Sequence, residues 1–448
     1  MEVVLFHRQR KTTVSTHTKS LKDLLPMVSA AQFLADNKRQ TLLQKMKDYS
    51  GLEATRYESL CATLIDNLVS YCQSLPESTN SYYAQSGGLV DHALNRTEAA
   101  LGLFQEFMIA DEGGLSEEQK LWQYALYTAA ILQGIGKLFI DYRINLFDIN
   151  GQLLKQWNPL LESLVNVGSY YTFEFQKEGD IEFRRRLNLL LAKALMPPSG
   201  FTWIASNQDV LAVWLALLNE DQRSSGTLGA ILIRAESLAI QRYLAELLLK
   251  SGMGRSGGPF GRAGTFSGGV PESVSNKEQA IGVEFIQWMI KSLEQGVLMV
   301  NKAPLYQVLG GFILCTEMFQ LFVRDHPAYK NWKVIQKAFA SLGLHRSAPD
   351  GSLLSRFEQT QNQQMHSGIV FSEYAVALPE SLSVYDLNTG KNETMSAIEF
   401  IHQAQDNTHF TQHHNLTLEP LQKLSASGQW NSIVVEPPSM IPGVKNSG

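Results

Sequence analysis

A glycine-rich run near the middle of the chain limits how it can fold more than any other feature. Between Ser251 and Gly269, eight glycines stand among serine, arginine and proline residues. Glycine loses more conformational freedom on folding than any other residue and has no side chain to bury. The run is therefore typical of a flexible linker, and we assign residues 251–275 to a linker between two folded parts.

The part before the linker is predicted to be helical throughout. Apolar residues recur at steps of three and four over residues 27–75, the spacing that gives a helix one apolar face. Further helical patterns follow at residues 117–132, 184–196, 207–219 and 226–250. We expect a helical extension over residues 1–50 and a mainly α, all-helical domain over residues 51–250.

The part after the linker is predicted to be a small α+β domain over residues 276–380. Its predicted helices cover residues 276–294, 316–325 and 330–342, and its β-favouring runs are residues 297–300, 305–315, 353–357 and 368–378. Helices followed by a β-hairpin suggest a winged-helix-like domain. Residues 381–448 are expected to form an extension that ends in a loose tail.

Composition and charge narrow the functional classes. The hydrophobic fraction of 44% is that of a globular protein, and no apolar run is long enough for a signal-peptide core or a membrane span. The three cysteines, Cys61, Cys72 and Cys315, have no metal-type spacing and do not suggest a disulfide framework, so we expect a cytoplasmic protein. Since the net charge is −5, any contact with DNA needs a local basic surface.

Two short stretches hold the strongest functional signal. Residues 87–92 (GGLVDH) form a glycine-rich entry into a helix that carries His92. Residues 129–137 (AAILQGIGK) end a buried helix in a glycine turn before Lys137. Both stretches could be structural, with His92 as a core or capping histidine and the glycines as a helix C-terminus. Lys137 is not part of a Walker loop, because serine or threonine does not follow it.

The two stretches resemble the HD superfamily, in which a histidine on one helix joins a His-Asp doublet followed by Ile-Gly-Lys on the next. Over most of its length, the sequence is similar to the TraI-like (MobH-type) relaxases of conjugative and integrating mobile elements. The matching stretches before the linker are residues 87–92, 122–125, 129–137 and 234–236. Those after the linker are residues 300–302, 332–345 and 349–351. The resemblance implies an HD-hydrolase-like helical domain and the family's C-terminal domain.

The residues at the implied metal site depart from the family pattern. Gln133 and Gly134 stand where the resemblance implies the His-Asp doublet, and Glu236 stands where it implies an aspartate. An amide is a poor ligand for a transition ion and glycine has no side chain, so His92 and Glu236 are too few ligands for a catalytic metal. We therefore expect no metal cofactor and no ordinary metal-dependent phosphohydrolase activity.

A carboxylate left in such a site needs another partner. Burying a charge without a counter-charge is costly, so Glu236 is predicted to be hydrated or to form an ion pair. The candidate partners in the sequence are His92, Lys137 and Arg234. We thus expect a polar cavity around an acid and an imidazole.

The sequence also allows other kinds of catalytic or metal-binding site. An oxygen-rich Mg²⁺ site could use Asp91, Asp141 and Glu236. Tyr82 and Tyr83 could act as nucleophiles, as a tyrosine does in other relaxases, but aromatic packing is the preferred interpretation. Four late histidines also suggest metal binding, although we favour a solvated segment; they are His402, His409, His413 and His414.

Basic residues provide candidate DNA contacts. Residues 184–186 are three consecutive arginines at the start of a predicted helix. After the linker, the residues predicted to bind nucleic acid are Lys330, Lys333, Lys337, Arg346 and Arg356, and the three lysines have helical spacing. An ordinary solvated helix face is the alternative interpretation.

Three functions agree with these observations. The preferred one is a relaxase-like protein of conjugative DNA transfer, which has lost the HD catalytic centre and binds DNA or other transfer proteins. The first alternative is a divalent-metal-dependent phosphodiesterase or nuclease that uses an oxygen-rich site. The second alternative is a scaffold or regulator without nucleic-acid contact.

Overall fold

The computed structural model describes residues 19–79, 81–107, 114–176, 180–250, 275–348, 351–404 and 409–413. The predicted linker, apart from Ser275, and the predicted tail from residue 414 lie outside these ranges. Within them, helices and antiparallel sheets follow one another along the chain. The fold is therefore mixed α and β.

The first part of the chain is built mainly from helices, as predicted. They are Ala30–Leu34 (α1), Asn37–Ser50 (α2), Ala54–Tyr57 (α3), Thr63–Cys72 (α4), Gly88–Phe107 (α5), Glu117–Leu132 (α6), Lys137–Ile140 (α7), Ile181–Leu195 (α8), Pro198–Ala205 (α9), Gln208–Leu218 (α10) and Gln222–Lys250 (α11). Helix α6 has the predicted bounds, because Ser116 and Gln119 form a capping box at its start. Helices α5, α6 and α11 pack against one another and position the site described below.

A four-stranded antiparallel sheet also belongs to this part, so the prediction of an all-helical domain was wrong. Its strands are Leu25–Pro26 (β1), Tyr142–Phe147 (β2), Leu153–Gln156 (β3) and Tyr170–Phe175 (β4), in the spatial order β1-β4-β2-β3. Tyr142, Ile144 and Leu146 are buried, and the residues between them are more exposed. This period of two is the pattern of a strand with one buried face, and the search for helical periodicity missed it.

The second part combines helices with a larger sheet than a winged helix needs. The helices are Ser275–Glu294 (α12), Thr316–Asp325 (α13), Trp332–Ala340 (α14) and Ala397–Gln403 (α15). The strands are Leu305–Val308 (β5), Gly311–Cys315 (β6), His345–Arg346 (β7), Ser355–Gln359 (β8), Met365–Phe371 (β9), Ser381–Tyr385 (β10), Asn392–Ser396 (β11) and Phe410–His413 (β12). Six of them form one antiparallel sheet in the order β12-β8-β9-β6-β5, with β7 also paired to β9. The α+β character is confirmed, whereas the winged-helix form is not.

Residues 381–404, at the start of the expected C-terminal extension, are folded. Strands β10 and β11 pair as a hairpin, and Leu382 and Val384 on β10 are buried. Helix α15 buries Phe400 and Ile401 and packs against α11. Alternating burial on a strand and an apolar helix face are enough to hold this segment on the core.

Helix α11 joins the two parts of the chain. Arg234 on α11 donates a hydrogen bond to the backbone oxygen of Leu378 at 2.8 Å, and Gln241 donates one to that of Val376 at 2.7 Å. Buried apolar residues on both sides of the glycine-rich run belong to one contiguous core. The segment from Glu373 to Leu378 is therefore fixed against α11 by both packing and hydrogen bonds.

No single helix among the described residues is long and apolar enough to cross a membrane. The pair α9 and α10 reaches the required length and composition only together, with a bend of 116° between the two helices. Trp214 on α10 is buried, and its indole donates a hydrogen bond to Thr128 Oγ1 on α6 at 2.9 Å. The second helix of the pair thus packs into the protein interior.

Candidate functional site

His92 lies near the start of α5, where a close backbone contact fixes the helix. A β-carbon on Gly88 would lie 1.9 Å from the carbonyl oxygen of Tyr83, so only glycine fits there. One turn later, His92 is 1% exposed. The Tyr83 ring stacks on its imidazole with the centroids 4.7 Å apart, and the Tyr82 ring meets it edge-on at 5.4 Å. The histidine is held in a single place by aromatic packing.

Gln133 and Gly134 form the turn that ends α6. Gln133 is the C-cap, and Gly134 has φ of +73°, a backbone conformation that favours glycine. The side-chain oxygen of Gln133 is buried and has no hydrogen-bond partner. Its backbone oxygen accepts a hydrogen bond from Arg96 Nη2 at 3.1 Å. The two positions therefore contribute a helix C-terminus, with backbone oxygens, to the site.

Glu236 on α11 is bound by two cationic groups. Its Oε1 lies 3.2 Å from His92 Nε2, and its Oε2 lies 2.8 Å from Arg96 Nη1. Burial alone would raise the pKa of the Glu236 carboxyl, but His92 and Arg96 outweigh burial and hold that pKa well below its usual range. Of the three candidate partners, His92 lies beside Glu236. The other two candidates bind elsewhere, because Arg234 donates to Leu378 and Lys137 pairs with Glu77.

Arg96 is the residue that the sequence reasoning missed. It is 5% exposed, and besides Glu236 and the Gln133 carbonyl it binds the backbone oxygen of Ala130, with Nε at 2.7 Å. These bonds tie α5 to the end of α6 and to α11. Its spacing of four residues from His92 on one helix was an available signal, because residues four apart share a helix face.

Glu77, in the segment before α5, completes the set of charges. Its carboxylate forms an ion pair with Lys137 and lies 3.6 Å from His92 Nδ1. Burial would raise the pKa of Glu77, but the Lys137 ammonium and His92 lower it to about 2. No motif surrounds this residue, so its role could not be predicted from the sequence.

Together these side chains form an alternating series of charges, which we call the charge cluster: Lys137, Glu77, His92, Glu236 and Arg96. Burial alone would lower the pKa of His92, but Glu236 and Glu77 raise it above its ordinary value. Each imidazole nitrogen lies near a carboxylate, but among the described residues neither makes a hydrogen bond of good geometry. The firm pairs of the cluster are therefore Glu77 with Lys137 and Glu236 with Arg96.

A cavity of about 350 Å³ lies beside the charge cluster. Its walls come from α5, α7, α8, α10 and α11, from the segments before α5 and after α6, and from residues 372–375 of the second part. The charged residues in its wall are Glu77, Arg96, Lys137, Arg184, Arg185, Glu220, Glu236 and Glu373. This volume lies at the lower end of the range of roughly 300–1,000 Å³ typical of ligand pockets. The two parts of the chain therefore build one composite cavity.

Glu373 is the acid that the second part contributes to this cavity. Burial is the main cause of the rise in its carboxyl pKa to about 7, and the charge of Glu236 raises it further. Neither an ion pair nor a side-chain hydrogen bond joins Glu373 to another described residue. It therefore differs from the paired acids Glu77 and Glu236 on the opposite wall.

The carboxylates proposed for an oxygen-rich Mg²⁺ site do not come together. Asp91 pairs with Arg39 at 2.8 Å, and Asp141 lies 3.6 Å from Arg184. In the described part of the chain, no three histidine, cysteine, aspartate or glutamate side chains form a group that could hold a metal ion. The donor set around Glu236 also contains a guanidinium and an imidazole between two acids, which does not fit a metal centre.

The tyrosines next to this site have packing roles. The Tyr83 hydroxyl donates to the backbone oxygen of Ala239 at 3.0 Å, and its ring also packs against Tyr243. Tyr82 lines the cavity, where burial and the acids nearby raise the pKa of its phenol well above the usual value. A phenol that is harder to ionise is a poorer nucleophile, so the geometry agrees with the packing interpretation.

The basic residues after the linker are exposed but do not share one surface. Lys330, Lys333 and Lys337 are all exposed at α14, and Lys337 pairs with Glu278 at 3.1 Å. Arg346 is paired with Val370 across β9, whereas Arg356 is paired with Ser367. Since 367 and 370 differ by an odd number, these arginines point to opposite faces of the sheet.

The remaining candidates are spread over the structure. Arg184 and Arg185 on α8 reach the cavity wall, which gives the arginine run a place at the site. His402 lies in the last turn of α15, and His409 precedes β12. The His413 side chain and His414 lie outside the described residues.

Two family models match this sequence, and no curated protein matches it significantly. Residues 24–262 match the family TraI_2, described as "Putative helicase". Residues 280–389 match TraI_2_C, described as "Putative conjugal transfer nickase/helicase TraI C-term". The boundary between the two matches falls at the glycine-rich run, and together they include the charge cluster and Glu373. Because the first match alone covers more than half of the 448 residues, this chain belongs to the TraI_2 family.

Proposed function

We propose that this protein acts in conjugative DNA transfer as a DNA-binding, relaxase-like member of its family whose HD-type centre no longer supports metal-dependent cleavage. One observation carries the proposal. At the positions implied for metal ligands, Gln133 and Gly134 offer a helix C-terminus, and Glu236 is held by Arg96 and His92. The MobH-type and degenerate-HD parts of this assignment rest on the sequence resemblance together with this pairing.

The site has too few ligands for a catalytic metal ion. A metal that activates water for phosphodiester cleavage needs about three protein ligands and an open position. Here the two ionisable groups at the implied ligand positions are already engaged with each other and with Arg96. What the site can still do is hold three helices in place beside a polar cavity.

DNA binding is then the activity that the remaining features support. The exposed lysines just before α14 and along it, Lys330, Lys333 and Lys337, can contact phosphates. Arg184 and Arg185 offer a second basic position at the cavity wall. We leave Arg346 and Arg356 out of the proposed DNA surface, because they point to opposite faces of their sheet.

The test uses the full chain in two assays. Fluorescence anisotropy with a labelled DNA duplex and single strand, at low and moderate salt, measures binding. A supercoiled-plasmid nicking assay with Mg²⁺ or Mn²⁺ measures cleavage, and elemental analysis measures bound metal. We expect salt-dependent binding, no nicking and no stoichiometric transition metal.

Charge reversal tests the proposed surface. The double variant Lys333→Glu with Lys337→Glu should weaken DNA binding at least several-fold and make it less dependent on salt. The matched control is Lys155→Glu with Lys193→Glu, on the first part of the chain. Nicking by the wild type would support the phosphodiesterase alternative, and no DNA binding at any salt would support the scaffold alternative; either result would reject the proposal.

A further inference from the structure

We infer that the Arg96 guanidinium occupies the position of the metal ion implied by the HD resemblance and keeps divalent metals out of this site. The inference rests on the proposed assignment of His92, Gln133, Gly134 and Glu236 to the HD positions. It goes beyond the loss of ligands, because it says that a resident cation blocks the site even if the ligands are restored.

The first argument is the set of oxygens that Arg96 binds. Its three nitrogens reach the backbone oxygens of Ala130 and Gln133 and a carboxylate oxygen of Glu236, at 2.7, 3.1 and 2.8 Å. These acceptors come from the end of α6 and from α11, two of the three elements on which the implied ligand positions lie; the third, α5, carries His92 and Arg96 itself. A cation is also favoured beside a helix C-terminus, where carbonyl oxygens lack partners. One planar guanidinium thus binds oxygens from both elements at the implied site.

The second argument is the state of His92. A metal ligand must present a free nitrogen lone pair, whereas both ring nitrogens of His92 face carboxylates, at 3.2 Å from Glu236 and 3.6 Å from Glu77. The imidazole is 1% exposed and lies between these two carboxylates, so neither nitrogen faces open space in the cavity.

The third argument is the balance of charge. Two cationic side chains, Arg96 and Lys137, already face the two carboxylates Glu236 and Glu77. A divalent ion placed among them would add two positive charges at short range and would compete with Arg96 for Glu236. Repulsion between like charges at such separations in a buried site is strong, so binding requires removal of a resident cation.

Restoring the implied metal ligands by substitution tests this inference. The triple variant Gln133→His, Gly134→Asp and Glu236→Asp restores the family pattern but keeps Arg96. We expect it to bind Mn²⁺ no better than the wild type. Adding Arg96→Ala should open the site, and the quadruple variant should bind one Mn²⁺ at least tenfold more tightly than the triple variant.

Isothermal titration with MnCl₂ and the Mn²⁺-dependent rise in Tm measure this difference, without any activity assay. A second copy of the triple variant carries Arg143→Ala, which removes an exposed arginine from β2 and should leave Mn²⁺ binding unchanged. Circular dichroism shows whether each variant is folded. If the quadruple variant does not fold, Arg96→Gln in the triple background replaces it, because glutamine keeps a hydrogen-bond donor for the carbonyls.

Two results would overturn the inference. The triple variant could bind Mn²⁺ as tightly as the variant without Arg96, or a folded variant without Arg96 could bind no Mn²⁺ at all. The proposed function fails by a different result, namely nicking or bound metal in the wild type. The two failures are therefore distinguishable.

Discussion

The two walls of the cavity differ in how they treat buried charge. On the wall formed by the first part of the chain, Glu77 and Glu236 each have a cationic partner, and their pKa values are lowered. On the wall formed by the second part, Glu373 has no such partner among the described residues, and its pKa rises to about 7. The carboxyl pKa is thus lowered for the glutamates on one wall and raised for the glutamate on the other, because only one wall supplies counter-charges.

This difference gives the charge cluster a structural role, whereas the effect of Glu373 depends on pH. The charge cluster joins three helices. Removing one partner of a buried ion pair would leave the other charge uncompensated, at a high cost in free energy. Glu373, in contrast, has a raised carboxyl pKa, so we expect its ionised form to destabilise the folded protein. Four experiments test this difference and the contact between the two parts.

The largest effect is expected from Arg96→Ala. This change leaves Glu236 and two backbone oxygens without their buried donor, so the free energy of unfolding should fall by about 3–5 kcal/mol. Urea denaturation followed by circular dichroism measures it. The control Arg143→Ala, on an exposed strand position, should change stability by no more than about 0.5 kcal/mol. A loss below about 1 kcal/mol for Arg96→Ala would mean that the cluster is not a structural element.

The Lys137–Glu77 pair should show strong coupling. Lys137→Met alone and Glu77→Gln alone each leave a buried partner uncompensated, whereas the double variant removes both charges. In a double-mutant cycle of unfolding free energies, we expect a coupling of about 1–3 kcal/mol. If the two losses simply add, the pair contributes nothing as a pair.

The pH dependence of stability should identify Glu373. A carboxyl whose folded pKa lies above its unfolded value destabilises the folded state as pH rises from the unfolded pKa to the folded pKa of about 7. Glu373→Gln removes this penalty, so the variant should gain about 1–3 kcal/mol over the wild type at pH 8 and little at pH 4.5. Urea denaturation at several pH values measures the gain. A gain that does not depend on pH would contradict the assigned cause.

His92 adds a second pH-dependent contribution of known sign. Its folded pKa is raised, so the stability it supplies is complete below its unfolded pKa and is lost as pH rises through the folded pKa. This contribution is present in both the wild type and Glu373→Gln. The difference between these two proteins therefore isolates Glu373.

The smallest effect is expected at the contact between the two parts. Arg234→Met removes the hydrogen bond from α11 to the backbone oxygen of Leu378 but keeps an apolar stem, so the loss should be about 1–2 kcal/mol. Hydrogen exchange should increase in residues 373–378 and remain unchanged in α6. Equal exchange in the wild type and the variant would show that packing alone fixes this segment.

The predictions from sequence succeeded where local pattern decides structure. Helix α6 has the predicted bounds because a capping box starts it and a glycine turn ends it. Helix α13 was also predicted correctly at residues 316–325. The first sheet was missed because only helical periodicity was considered there: β2 alternates buried and more exposed residues, whereas β3 is four residues long and exposed along its length.

Some of the residues around the site could be predicted from the sequence and others could not. His92, Gln133, Gly134, Lys137 and Glu236 could be found in sequence because they lie in family motifs, and the structure brings them to one cavity wall or its immediate surroundings. Arg96, Glu77 and Glu373 lie in no such motif. The basic surface was predicted from spacing on a helix, which could not show that strand register separates Arg346 from Arg356.

By itself, the sequence identified the glycine-rich run, the helices with clear periodicity and caps, and the residues Gln133, Gly134 and Glu236 at the positions that the resemblance implies for metal ligands. Each of these depends on neighbouring residues or on a motif. Only the tertiary structure decided which cation meets Glu236, since Arg96 is 140 residues away along the chain. It also decided that Glu373 faces the same cavity. The partners of a buried charge are set by how distant elements pack, and the desolvation cost of a wrong partner appears only after the chain has folded.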